Sequence, residues 1–328
     1  MVVQNWIEVI QTATLSRDKH MDLVSRWLII TRAAVFSMTL TSGLIGGLLA
    51  AAAGTFAWTP FLLAMLGLVL AHAANNMIND YFDLSGGVDT SEYYRAQYAP
   101  HPILSGLISK AGLRNAILLV NLADAAIAVY LVAVRGWPVL LFAGLGLFIS
   151  VFYVAPPLRL KHIGLGELGV FIVWGPLMIG GSYYCAAGSV PLSVYAAALP
   201  YALLVTTVLI GKHVDKLPQD QAKGIHTLPV ILGHDVSIRL NQVLMIAFYL
   251  ITLLLVATHT LGFWVLLVIF SLPRLVRVLR VYNDPKPATP PPNYPVWPLW
   301  YVAGAFYLNK LAGGLFILGL LLNLILPN

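Results

Sequence analysis

Two stretches without one charged side chain, Ala33 to Ala71 and Trp137 to Leu158, constrain this chain more than any other feature of it. Each exceeds the roughly 20 apolar residues that cross a hydrocarbon core of about 30 Å. The composition agrees, with 59% hydrophobic and 10% charged residues over 328 positions and a mean hydropathy of +0.83. Together these exclude a soluble enzyme, a disulfide-stapled secreted domain and a disordered tail, and they make the lipid bilayer the first partner. The sole cysteine, Cys185, gives neither an intrachain disulfide nor a Cys-based zinc site. A net charge of +6 is explained by loop orientation before nucleic acid, which is excluded as a partner.

Apolar runs bounded by polar or Gly/Pro punctuation predict nine spans, near 33–53, 60–82, 113–134, 137–154, 168–187, 192–212, 241–259, 262–281 and 301–326. Basic residues should favour cytosolic loops. Of the 19 Lys and Arg residues, 17 fall on one side of this alternation; Arg135 lies opposite and Lys310 lies inside the ninth span. The expectation is an integral, multi-pass all-α membrane protein with a cytosolic N-terminus and cytosolic working loops. Residues 1–26 read as a polar, partly amphipathic cytosolic segment without a cleaved signal peptide, and 27–328 as one transmembrane domain. The segment from Asn283 to Pro298 holds seven prolines and reads as a stiff connector or a lid.

Of only 13 acidic residues, six fall in two short stretches: Asp80, Asp83, Asp89 and Glu92 after the second span, Asp215 and Asp220 after the sixth. Carboxylates at a membrane face point to function. His72, Asn75, Asn76, Asn79, Asp80 and Asp83 recur at spacings of three and four, so one polar stripe runs down the second span. Lipid would not tolerate it, and it should face a cavity inside the bundle. Asp and Asn oxygens suit a hard cation such as Mg²⁺, which is commonly shared with a phosphate. Two such clusters face to face would hold two ions and a diphosphate. Arg95, Arg159, Lys161, Lys212, Lys216 and Lys223 lie on the same side and could neutralise phosphate oxygens.

The string Asn79-Asp-Tyr-Phe-Asp83-Leu-Ser-Gly-Gly-Val-Asp89-Thr90 resembles the first aspartate motif of the UbiA superfamily of intramembrane prenyltransferases, in the form seen in menaquinone-pathway members. Tyr153-Val-Ala-Pro-Pro-Leu-Arg159-Leu-Lys161, followed by Gly164-Leu-Gly-Glu167, resembles the family's loop after the fourth span. Asp215 to Asp220 with Gly224-Ile-His-Thr227 resembles its second aspartate motif. The resemblance spans roughly residues 30 to 325. It implies a nine-helix UbiA-type bundle around a central cavity, with two Mg²⁺ ions bridging both motifs and a polyprenyl diphosphate. Carried over, Asn79, Asp83 and Asp215 or Asp220 would be metal ligands, Arg159 and Lys161 would hold the diphosphate, and Tyr153 would lie near it. Asp80 and Asp89 complete the candidate ligand set, Asn75 the candidate substrate contacts. The implied chemistry is metal-assisted loss of diphosphate and capture of the allylic cation by a small, electron-rich acceptor of the 1,4-dihydroxy-2-naphthoate type, as in quinone biosynthesis.

Two positions depart from the family pattern. The acids of the second motif are five apart instead of four, so that Lys216 falls where the first is expected when the downstream Gly and Thr are aligned. His101 stands where an Arg-Pro-Leu-x-Ser-Gly run would begin, replacing a permanent charge with a titratable one. Asp124, mid-way along the third span, reads either as a buried acid near Asn121 or Lys310 or as a group that steers the acceptor or removes its proton. A membrane terpene cyclase with the same site, and a transporter with an intramembrane polar site, are the alternative functions. Prenyl chain length and oligomeric state are not legible.

Overall fold

In lipid, a backbone can satisfy its own polar groups only as a helix or a closed barrel, and every regular element here is helical. The structure, a computed structural model, describes residues 2–16, 18–292 and 294–326. Arg17, counted above among the basic residues, lies outside them. In order the helices are α1 (Val2–Thr12), α2 (Leu23–Ile30), α3 (Phe36–Ala52), α4 (Trp58–Ser85), α5 (Tyr94–Tyr98), α6 (Lys110–Arg135), α7 (Pro138–Phe152), α8 (Gly166–Ile172), α9 (Met178–Ala187), α10 (Leu192–Asp215), α11 (Leu217–Ala222), α12 (Leu228–Leu232), α13 (His234–Ala257), α14 (Leu272–Asn283) and α15 (Tyr301–Ile325). Among the described residues there is no strand, only an isolated parallel bridge between Ile163 and His226.

Among the described residues, seven segments are long and apolar enough to cross a membrane: Ala33–Ala52, Trp58–Ser85, Lys110–Arg135, Gly166–Ala187, Leu192–Asp215, His234–Ala257 and Tyr301–Ile325. The other two expected spans differ in kind. Near 137–154 the chain forms the 15-residue α7, about 22 Å long. Near 262–281 it forms a 3-10 segment, Phe263–Ser271, continued by α14; together they reach about 36 Å. Between α8 and α9 lies a π turn, Val173–Leu177, containing Pro176, which has no N–H to give the helical ladder.

With lipid on one side and apolar side chains on the other, helix association in a bilayer depends on close packing. α10 is the axis, buried along most of its length and packed against α13, α15 and α8; α3 packs on α9, and α4 on α6. At Gly46 a Cβ would stand 2.1 Å from Ser182 Oγ and 2.3 Å from Ile179 O, so the α3–α9 approach requires glycine. At Gly211 a Cβ would meet Val302 N at 2.9 Å, and the bare backbone lets α10 touch the first turn of α15.

The N-terminal segment folds back on the bundle. Asp22 caps α2 by accepting from Val24 N and Ser25 N, and Trp6 Nε1 of α1 donates to the same oxygen.

Candidate active site

At about 42 Å, α4 is longer than a hydrocarbon core is thick, and its C-terminal half carries the polar stripe. Each polar group there meets an internal partner or a cavity. His72 Nδ1 bonds Thr39 Oγ1, and the ring stacks edge-on against Trp174. Asn76 donates to Thr31 O. Asn75 and Asn79 line the wall of an apolar cavity of about 770 Å³, and Asn75 Oδ1 is buried without a partner. This cavity runs along α4, α6, α7 and α9, with Phe142, Ile149, Val173, Trp174 and Val208 in its walls.

At the polar end of the cavity lies a second, smaller pocket. Asn79, Asp83, Asp89, Tyr93, Tyr153, Lys161, Lys212, His213 and Lys216 line it together with Arg32 and Arg95. Lys212, Tyr153, Asn79, Arg32 and Arg95 line both spaces, so the two adjoin. Lys161 Nζ holds both oxygens of Asp83, at 2.7 and 2.5 Å. Lys216 Nζ donates to Asp220 at 2.9 Å, and the Tyr93 hydroxyl donates to the same carboxylate. Burial is the largest influence on Asp220 and opposes its ionisation, but the Lys216 ammonium, His213 and the Tyr93 hydroxyl together outweigh it and hold the carboxyl below its usual range. Burial, then the Asp220 charge, push the Tyr93 phenol far above its ordinary value, so Tyr93 remains a neutral donor to Asp220.

The expected residues separate into groups. Asn79, Asp83, Asp89, Arg95, Tyr153, Lys161, Lys212 and Lys216 converge on the small pocket. Asp80, expected among the metal ligands, lies wholly buried beneath it, its carboxylate taken by Arg32 and Arg95. His101 is buried beside Asp89, its Nε2 3.3 Å from Asp89 Oδ2, with neither atom aligned to a hydrogen-bond partner. Asp220 backs the pocket through Lys216.

Four expected residues stand elsewhere. Asp215 turns to the start of α15, where it accepts from Trp300 N at 2.9 Å, Val302 N at 3.0 Å and Lys286 Nζ at 3.1 Å. It caps that helix and holds Lys286, because α10 approaches α15 at Gly211 just before it. Arg159 is exposed, on left-handed backbone with φ 46°, and does not line the pocket. Asp124 lines the large cavity against Gly67. Gly67 is 16 residues before Asp83 on α4, about 24 Å away. Neither Asn121, whose amide bonds Ile117 O, nor Lys310, which lies over the Phe306 ring, serves Asp124 as the sequence suggested. Lys223 is exposed and donates to Gly87 O, fastening the loop that carries Asp89.

Several site residues were not legible. Arg32 read only as a loop base, and nothing in the sequence joins it to Asp80, 48 positions away. Tyr93 and Tyr94 carried no signal beyond their place after the first acidic stretch. His213 read as a loop or phosphate contact, but its Nδ1 is held by Glu167 and its Nε2 is buried without a partner. Lys286 and Pro298 show that the proline-rich segment packs over this end of the bundle, because Lys286 reaches Asp215 and Tyr94 donates to Pro298 O. Val296 of that segment and Leu299 just after it line the large cavity.

The oxygens of Asn79, Asp83 and Asp89 line one pocket and are hard donors of the kind that Mg²⁺ takes, and Asp89 Oδ2 is buried beside His101 Nε2 without an aligned hydrogen bond.

Comparison with known proteins brings the same residues into one frame. Residues 39–309 match the profile of the UbiA prenyltransferase family. A relative from Synechocystis named 2-carboxy-1,4-naphthoquinone phytyltransferase is 28% identical over 228 residues, covering 68% of this chain and 70% of its own length. The 1,4-dihydroxy-2-naphthoate octaprenyltransferase of Bacillus subtilis is 25% identical, covering 67% and 70%. Among solved structures, a UbiA homolog from Aeropyrum pernix superposes with a TM-score of 0.66 at 18% identity, over 88% of this chain and 98% of that one. A homolog from Archaeoglobus fulgidus bound to GPP and Mg²⁺ gives 0.60 at 15% identity, over 89% and 99%. At such identities the structures speak to the fold alone.

Proposed function

Because this chain belongs to the UbiA prenyltransferase family and is a prenyltransferase, we propose that it transfers a polyprenyl group from its diphosphate to a 1,4-dihydroxy-2-naphthoate-like acceptor, with Mg²⁺ bound. The observation that carries this reading is the junction of two spaces: a polar pocket lined by five basic side chains, Arg32, Arg95, Lys161, Lys212 and Lys216, adjoining a 770 Å³ apolar cavity. A polyprenyl diphosphate has that polarity, a charged head on a long hydrocarbon tail.

Asn79, Asp83 and Asp89 would hold Mg²⁺, which when bound supplies Lewis-acid stabilisation of the departing diphosphate. Lys212, Lys216, Lys161 and Arg95 take up the negative charge that develops as the bond from prenyl carbon to diphosphate oxygen breaks. Tyr153 adds a hydroxyl donor at the same end, while Tyr93 spends its O–H on Asp220. The walls of the large cavity exclude water from the allylic cation, which water would otherwise capture. As the acceptor's carbon bonds to the cation, its proton must leave. His213 Nε2 lines the pocket without a partner, and Glu167 on Nδ1 orients the ring to take that proton. Asp124, some 24 Å along α4 from Asp83, faces the tail cavity and is placed outside the chemistry.

The nine spans, the cytosolic orientation of the polar pocket, the surface position of residues 1–26 and the single domain over 27–328 belong to the same proposal; the loop charges support them. The test is product analysis: purified protein with geranylgeranyl diphosphate, Mg²⁺ and a panel of hydroxylated aromatic acids should yield one prenylated naphthoate product. A cyclised terpene formed without any acceptor would replace transfer with cyclisation.

A further inference from the structure

Building on that reading of the site, we propose that Lys216 is a resident cation standing in for one divalent ion, so that this protein works with a single ion, held at Asn79, Asp83 and Asp89. The second acidic stretch offers two carboxylates on paper and none open in the fold. Asp215 is spent on the first turn of α15 and on Lys286. Asp220, fully buried, has Lys216 Nζ 2.9 Å from both of its oxygens, a hydroxyl donated by Tyr93 on Oδ1, and no other partner for Oδ2. Lys216 lies one helical turn before Asp220, at the position where an acid would make a two-carboxylate clamp.

Charge and donor number decide what this cluster can bind. A divalent ion such as Mg²⁺ needs a near-octahedral set of oxygens and is reluctant to dehydrate. A single carboxylate already neutralised by an ammonium offers it little. The first cluster differs: Lys161 also bonds Asp83, but Asn79 and Asp89 stand in the same pocket, and Asp89 Oδ2 is buried without a hydrogen bond, facing His101 Nε2 at 3.3 Å. Lys216 lines the pocket itself, where an ammonium presents N–H donors directly to phosphate oxygens. One ion and one lysine then face the diphosphate.

The experiment counts ions directly. Full-length protein in detergent, stripped with EDTA, is titrated with Mn²⁺ in the presence of inorganic pyrophosphate, and bound metal is read by equilibrium dialysis and electron paramagnetic resonance. The expected result is one Mn²⁺ per chain with the spectrum of an isolated ion; two per chain, or a spin-coupled pair, overturns the proposal. Lys216→Met should retain the single ion and weaken pyrophosphate binding by roughly ten- to a hundred-fold, the effect of one lost charge-assisted hydrogen bond; unchanged affinity overturns it. The wild-type count depends on no variant. An inactive protein with one ion would overturn the transferase reading and leave this one standing, and an active protein with two would do the reverse.

Discussion

Lys161 closes on Asp83 with its Nζ 2.7 and 2.5 Å from the two carboxylate oxygens, joining the loop after α7 to the end of α4. Both side chains are buried, so the pair holds the polar pocket in shape before any substrate arrives. Removing one partner of a buried pair leaves a charge uncompensated, at a cost of about 3–5 kcal/mol. Asp83→Ala should therefore lower the melting temperature and reduce prenyl transfer by at least roughly a hundred-fold. Adding Lys161→Met should restore much of the stability and none of the activity. A double variant as unstable as the single one would show that the pair does not organise the pocket.

Asp215 is predicted to act on α15 and not on the metal. Asp215→Asn loses charge-assisted bonds from Trp300 N, Val302 N and Lys286, worth roughly 1–3 kcal/mol in total. Thermal unfolding should shift down, and the loop at Lys286 and Trp300 should exchange amide hydrogen faster, while Mn²⁺ affinity stays at the wild-type value. Loss of metal binding in this variant would return Asp215 to the ligand set.

Gly46→Ala tests the packing account. The added methyl would stand 2.3 Å from Ile179 O, a backbone atom that cannot step aside without moving α9. A loss of about 1–3 kcal/mol is expected, typical of overpacking, read as a lower unfolding midpoint in detergent. A neutral result would mean that α3 and α9 are free to separate at this level.

Acid sensitivity should be traceable to His162. Burial, and next the Lys161 charge, lower its pKa from 6.5 to about 4. Between those values the unfolded chain binds a proton that the folded chain does not, so stability falls as pH drops from about 6.5 towards 4 and is unaffected by this group above that window. His162→Gln should flatten part of that decline in unfolding midpoint against pH. An unchanged slope would assign the acid loss to other groups.

The first acidic motif was legible because it is local. Asn79, Asp80 and Asp83 lie on one helix face, and a polar stripe in an apolar span must turn inward whatever the rest of the fold does. Direction within the site was not legible. Asp80 and Asp83 are three residues apart, yet Arg32 and Arg95 take one and Lys161 the other, and those partners come from segments the sequence does not relate. Asp215 and Asp220 look alike on paper. What separates them is the approach of α10 to α15 at Gly211, a tertiary contact that aims the first acid at a helix terminus. The expected span near 262–281 was legible as apolar sequence, but its opening 3-10 turns depend on packing against α15, where Gly319 meets the Trp264 backbone.

The central claim, metal-assisted loss of diphosphate coupled to capture by an aromatic acceptor, is tested most directly by timing diphosphate release. Purified protein with geranylgeranyl diphosphate should release it only when both Mg²⁺ and 1,4-dihydroxy-2-naphthoate are present, one diphosphate for each prenylated product, and EDTA should stop release reversibly. Release that is independent of Mg²⁺, or no release from any polyprenyl diphosphate with the acceptor present, would contradict the account.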